Sequence, residues 1–274
     1  MVALVFALLG TGTAAASGGW RLPVGDGQPL TLLLLGSDMG PPRDGVVERG
    51  NADGFQLLFV SADRQHATII SIPRDAYVPV PGLGRQRINA CLQRGPERCV
   101  ETVEALFGLD VDGYLLTGMR AFSRAVSRFD GIEVEVPRAL RVGNTHIAPG
   151  RQNLSGPEAL VYARDRKSRP DGDVGRSRAQ AELLATAHRQ VVSDPSPQAV
   201  LHALGVLRRH SVTDLSGPEL VQLGFEALRL PPANVERATV PGSYGFAGRA
   251  SVLFLHDSAA ALVADAAEDG RIGP

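Results

Sequence analysis

Apolar positions along the chain follow two patterns. Short continuous apolar runs bounded by Gly, Pro or Asp alternate with longer stretches in which apolar residues recur every three or four positions. The first pattern reads as strands buried on both faces, the second as amphipathic helices. Runs at 31–35, 55–62 and 67–72 are predicted strands, the last two joined by a polar turn at 63–66. A short extended piece at 78–80 and a turn-rich loop at 81–87 follow. Helices are predicted at 96–107, where Val100, Val103, Leu106 and Phe107 share a face, and at 119–129. Strands are predicted at 114–117 and 132–136. Ser155 and Glu158 form an S-x-x-E capping box with Pro157 in the first turn, which predicts a helix running to about Arg164. After a turn at 170–175 another helix is predicted from about Arg176, with Leu183, Leu184, Ala187 and Val191 as its buried stripe. Helices near 197–209 and 216–228, strands at 235–240 and 252–255, and a helix at about 258–268 complete the pattern.

This order predicts one α/β domain over residues 29–274, a single mixed central sheet with helices on both faces. Leu-Ser-Gly-Pro-Glu occurs at Leu154 and again at Leu215, the same helix start used twice and not a structural repeat. Residues 18–28 read as a Gly-rich linker. Before it, residues 2–16 are apolar and end in Ala14-Ala15-Ala16, like a signal-peptidase site, but without the positive start of a signal peptide. Residues 1–17 therefore fit either a secretory signal or the outer end of a membrane anchor, a span requiring about 20 apolar residues. Both place the folded part on the extracytoplasmic side, membrane-anchored or secreted.

Composition narrows the chemistry. The 274 residues carry a net charge of -1, which gives no electrostatic reason to expect nucleic acid as a partner. Lys167 is the only lysine and lies in no phosphate-binding glycine loop, so a P-loop nucleotide enzyme is excluded. The six histidines are scattered without zinc spacing. Gly175 to Ala179 is a near miss to a nucleophile elbow, but no strand precedes it. Cys91 and Cys99, the only cysteines, fit either a short-range disulfide or two buried thiols.

Four polar clusters follow strand or helix ends: Asp38, Asp53, Arg74 with Asp75, and the segment from Arg164 to Gln180. If the strands are neighbours in one sheet, all four meet at one rim. Guanidinium groups grip phosphate oxygens bidentately, and the free N–H groups of a helix start add positive potential. Two carboxylates beside them suit Mg²⁺ with a polyphosphate, because Mg²⁺ takes one or two carboxylates and completes its shell with water and phosphate oxygens.

The motifs LLLLGSD (residues 32–38), NADGFQLLFV (51–60), IISIPRDAYVPVPG (69–82), RINA (87–90), FDGIEVEVP (129–137), LSGPEALVYARDR (154–166) and DVGRSRAQ (173–180) occur in this order. In these the chain resembles the LytR-CpsA-Psr family of cell-wall glycopolymer ligases, and residues 241–257 resemble the tail of actinobacterial members. The resemblance implies an enzyme that moves a glycopolymer from a polyprenyl-pyrophosphate carrier onto peptidoglycan through a phosphodiester, with the cytoplasmic membrane as its setting. It implies that Asp38 and Asp53 bind the metal, and that Arg74, Arg164, Arg166 and Arg176 bind the pyrophosphate with Gln180 in support. Arg87 matches a basic position beside the site, and Asp75 reads as a residue orienting Arg74. Asp53 and Arg74 are the candidate catalytic pair, Asp53 as base for the acceptor hydroxyl. The polyprenyl tail would lie in an apolar pocket; Val100, Val103, Phe107, Leu115 and Phe122 are candidates, although their spacing equally fits core packing. One departure is Asn51, where many members carry Arg; Arg43 or Arg49 could replace it. Hydrolysis of the same lipid, or binding without turnover, are the alternative readings.

Overall fold

The sheet is built outward from one strand whose side chains are buried on both faces. The computed structural model describes residues 27–38, 50–193 and 211–273. In chain order the strands and helices of the first half are β1 (Leu30–Ser37), β2 (Ala52–Val60), β3 (Ala67–Ser71), β4 (Tyr77–Val80), β5 (Gly84–Arg87), α1 (Pro96–Phe107), β6 (Gly113–Gly118), α2 (Met119–Arg128), β7 (Ile132–Val136), β8 (Leu140–Val142), β9 (Thr145–Ile147) and β10 (Gly150–Leu154). They continue with α3 (Gly156–Arg164), α4 (Asp173–Ser193), β11 (Ser211–Thr213), α5 (Gly217–Arg229), β12 (Val235–Thr239), β13 (Gly242–Ala247), β14 (Ala250–Leu255) and α6 (Ser258–Asp269).

The central sheet has the order β11-β6-β1-β2-β3-β12. Neighbours β1 and β6, and β3 and β12, run parallel; the other pairs are antiparallel. Leu32 and Leu34 point to one face, where they pack with Leu184 and Ala185 of α4 and Leu220 and Leu223 of α5. Leu33 and Leu35 point to the other, against Val103 of α1 and Val263 of α6. This two-sided burial is why β1 reads as an unbroken leucine run instead of alternating. A third cluster joins α2, β7, α3 and α4 through Val126, Ile132, Val134, Tyr162 and Leu183. The mixed sheet with helices on both faces is the architecture expected from the sequence.

Several expectations are corrected. Residues 81–87 are not a loop: Gly84–Arg87 pairs back on β4 as a hairpin, with Gly82 and Gly84 at positive φ supplying the reversal. The strand at 132–136 stays out of the central sheet and pairs with β10 alone. Helix α4 begins at Asp173 rather than near Arg176, because the turn ends at Gly172 with φ +55. The short strands β8, β9, β11 and β13 carry too few apolar residues to stand out in sequence. Both capping boxes form, Ser155 with Glu158 and Ser216 with Glu219. Cys91 and Cys99 are joined in a disulfide between the 3-10 segment Ile88–Arg94 and α1. The apolar segment 1–17, most of the linker 18–28, Arg43, Arg49 and the helix expected at 197–209 lie outside the described residues. No helix among the described residues is long and apolar enough to cross a membrane.

Candidate active site

The site forms at the rim where β1 ends and β2 begins. Gly36 pairs with Gly54 and Ser37 with Ala52, so Asp53 is the extra residue of a bulge. A Cβ on Gly36 would come within 3.3 Å of the Gly54 nitrogen, and one on Gly54 within 3.4 Å of Gln180 Oε1. The paired glycines thus let the two strands and α4 approach one another closely. Gln180 uses this proximity: its amide donates to the carbonyls of Asp53 at 3.3 Å and Ala163 at 3.1 Å, tying the bulge to the end of α3.

Arg74 follows β3 and donates to Asp53 Oδ1. Its Nε also lies 3.7 Å from Asp173 Oδ1 and 4.0 Å from Asp75 Oδ1. Asp173, in the first turn of α4, lies 2.6 Å from Arg176 Nη2 one turn on. Arg74 and Arg176 therefore meet across one buried carboxylate. Asp75 sits 3.3 Å from Arg87 Nε, a shorter approach than to Arg74, so it steadies Arg87 more than the neighbour the sequence assigned to it. Arg87 also donates to the Ser251 carbonyl at 2.7 and 3.2 Å, which fastens the β13–β14 hairpin to the site.

The electrostatics follow from burial. Desolvation pushes the Asp173 carboxyl above its ordinary value, although Arg176 and Arg74 pull the other way. Desolvation likewise holds the Arg176 guanidinium below its ordinary value against the pull of Asp173. Arg74, despite desolvation, is raised by Asp53, Asp173 and Asp75. Burial raises the half-exposed Tyr244 phenol, as do Asp173 and Asp75, while the N–H groups of Asp173 and Val174 oppose the shift. Tyr244 on β13 thus lies within electrostatic reach of Asp173 and Asp75.

The remaining expected residues are placed as follows. Asp38 stands just past β1, its carboxylate held by Asn51. Arg164 is exposed at the mouth of a narrow apolar pocket of about 90 Å³, and its side chain makes no ion pair or hydrogen bond among the described residues. Arg166 is exposed in the loop after α3. The pocket runs between the sheet and α2, α3 and α4, past Leu34, Phe122, Leu160 and Leu183, and opens beside Asp53. Of the five candidates for the lipid pocket, only Phe122 lines it. Val100, Val103 and Phe107 pack on the opposite face of the sheet, and Leu115 belongs to the core below α4 and α5.

The carboxylates suit a hard cation. Among the described residues Asp53 has one oxygen on Arg74 and no hydrogen bond to the other, and the Asp38 oxygens keep lone pairs beyond those facing Asn51. Among the described residues no group of three or more His, Cys, Asp or Glu gathers as an all-protein cage. Such a donor set fits Mg²⁺, which leaves much of its shell to water and phosphate. Sequence reasoning passed over Asp173, Tyr244 and Gln93, and saw in Asn51 only a missing arginine, not a partner of Asp38. Asp173 alone left a signal, an acid three residues before Arg176 at a helix start.

Comparison with known proteins gives the lineage. A polyisoprenyl-teichoic acid–peptidoglycan teichoic acid transferase TagU of Oceanobacillus iheyensis is 31% identical over 201 residues, covering 71% of this chain and 61% of its own length. TagU of Enterococcus faecalis is 29% identical, covering 73% and 66%. The chain thus spans somewhat under two thirds of these relatives. Among solved structures, a Streptococcus agalactiae protein superposes with TM-score 0.79 at 20% identity, over 92% of this chain and 91% of the other. TagV of Bacillus subtilis gives 0.74 at 22% identity, over 90% and 99%. The family model for the LytR_cpsA_psr family matches residues 19–267, nearly the whole described fold, and this chain belongs to that family.

Proposed function

We propose that this chain is an extracytoplasmic phosphotransferase that moves a glycopolymer from a polyprenyl-pyrophosphate carrier to a hydroxyl of peptidoglycan. The observation that carries the reading is the junction of two unlike surfaces. Arg74 and Arg176 stand around Asp173 and Asp53, and Asp53 with Arg164 edges an apolar pocket. A ligand with a charged diphosphate and a hydrocarbon tail matches both at once. The names of the TagU relatives, transferases between polyisoprenyl-linked teichoic acid and peptidoglycan, support the same substrate classes. The Cys91–Cys99 disulfide supports an oxidising compartment outside the cytoplasm.

In this reading Arg74 and Arg176 hold the lipid-side phosphate, and Arg164 and Arg166 supply open positive charge toward the sugar-side phosphate and solvent. The acceptor oxygen attacks the sugar-side phosphorus. Its new P–O bond forms as the bond to the bridging oxygen breaks, leaving polyprenyl phosphate and a phosphodiester. Asp53 has one oxygen on Arg74; of the two lone pairs on the other, one would face the metal and the second takes the hydroxyl proton. The guanidinium groups stabilise charge gathering on the leaving phosphate. Mg²⁺, which Asp38 and Asp53 would hold, would supply further neutralisation of that charge.

Purified protein incubated with a lipid-pyrophosphate glycan, Mg²⁺ and soluble peptidoglycan tests this. A covalent polymer–peptidoglycan product supports transfer. Release of the glycan phosphate into water alone would make the chain a hydrolase, and retention of intact lipid without turnover would make it a binding protein.

A further inference from the structure

The Asp38 carboxylate does not stand by itself. Asn51 meets it from the opposite strand with two donors, the backbone N–H to Oδ1 at 2.8 Å and the side-chain amide to Oδ2 at 3.3 Å. The Asp38 N–H returns a bond to the Asn51 carbonyl at 3.1 Å. With its backbone N–H and one amide N–H committed to one carboxylate, Asn51 presents its amide oxygen outward. Gln93 fills that position, its Nε2 donating to Asn51 Oδ1 at 3.0 Å. Gln93 belongs to the 3-10 segment Ile88–Arg94 and lies inside the loop closed by the Cys91–Cys99 disulfide. The same segment is tied to the strand end that carries Arg74, through the Asn89 N–H to the Arg74 carbonyl at 3.3 Å and the Ile88 N–H to the Ala76 carbonyl at 2.7 Å.

We infer that Asn51 and Gln93 are positioning residues for Asp38: a relay from the disulfide loop through two amides fixes the plane of its carboxylate at the site's rim. The chemistry requires both amides in one orientation. An amide donates only through nitrogen and accepts only through oxygen, so Asp38 sets the Asn51 amide and Asn51 sets Gln93. A carboxylate clamped on two oxygens by N–H donors keeps its remaining lone pairs in a fixed direction. Loss of a partner that orients a metal ligand typically costs about 10- to 100-fold in metal affinity. The inference rests on the proposal that Asp38 and Asp53 hold a divalent cation, and it assigns Asn51 a part that needs no guanidinium.

The test uses Mn²⁺ alone, titrated into the full chain and followed through the paramagnetic signal of the free ion, with melting temperatures measured on the same metal-free samples. Asn51→Ala should weaken Mn²⁺ binding about tenfold, the lower end of what loss of an orienting partner costs. Gln93→Ala should weaken it less, because the Asn51 contacts survive. Gln93 is exposed, so its loss leaves folding intact and this variant stands in should Asn51→Ala fold poorly. In turnover assays both variants should need more metal for half-maximal rate while approaching the unmodified rate at saturation. Unchanged Mn²⁺ affinity in both variants, with the unmodified protein binding normally, overturns the relay and leaves the metal site standing. No Mn²⁺ binding by the unmodified protein overturns the metal reading, and the relay with it.

Discussion

Replacing Arg74 by Ala is the sharpest test of the clamp. The Arg74 side chain is 20% exposed, so a phosphate bonded to it would be neither fully solvated nor fully desolvated. A hydrogen bond to a charged group contributes about 1.5–3 kcal/mol. Arg74 is already engaged with Asp53 and close to Asp173, and a ligand must share it with them. The net loss on truncation therefore belongs at the low end, about 1.5–2 kcal/mol, or roughly 10- to 30-fold in Kd. Folding should suffer little. Partly exposed ion pairs contribute about 0–1 kcal/mol, which in a domain of this size shifts the melting temperature by no more than about 4 °C. Calorimetric titration of a short-chain polyprenyl pyrophosphate at fixed ionic strength reads the first quantity and a thermal melt the second. Arg74→Lys should recover part of the affinity, since it restores charge without the planar fork. A Kd within twofold of the unmodified protein, or a melting temperature that collapses, would refute the clamp in its present form.

Other consequences follow from the same geometry. Burial holds the Asp173 carboxyl above its ordinary 3.8, so the native state keeps its proton to higher pH than the unfolded chain. That contribution to stability is full below 3.8 and is lost as pH rises through the folded value. The unmodified protein should therefore lose melting temperature relative to Asp173→Asn as the pH climbs toward neutrality; a difference independent of pH would contradict the desolvation. Leu160→Arg, at the apolar pocket, should weaken binding of polyprenyl phosphate but not of inorganic pyrophosphate, and equal effects on both would contradict the pocket as the site of the tail. Opening the Cys91–Cys99 bridge by a double Ser substitution frees a loop of sequence separation 8. Chain entropy puts the cost at about 2.5 kcal/mol, to be read as a drop in the denaturant midpoint.

Much of this protein is written in local pattern. The leucine run at β1, the capping boxes at Ser155 and Ser216 and the apolar stripe of α4 need only nearest-neighbour physics, and each forms where expected. The motifs around Asp38, Asp53, Arg74 and Arg164 to Gln180 were equally legible, because they sit at the ends of those elements. What the sequence left open depends on contacts between distant segments. The Arg87 hairpin is stabilised by Ser251 from the far end of the chain, and β7 pairs with β10 and packs against α4 rather than joining the central sheet. Only the folded chain decided that Asp173 stands between Arg74 and Arg176, that four of the five candidate pocket residues are core, and that Asn51 grips Asp38. Periodicity reports which side of an element is apolar. It carries no information about which two polar ends the sheet will bring within hydrogen-bond distance, and that distance is what makes a site.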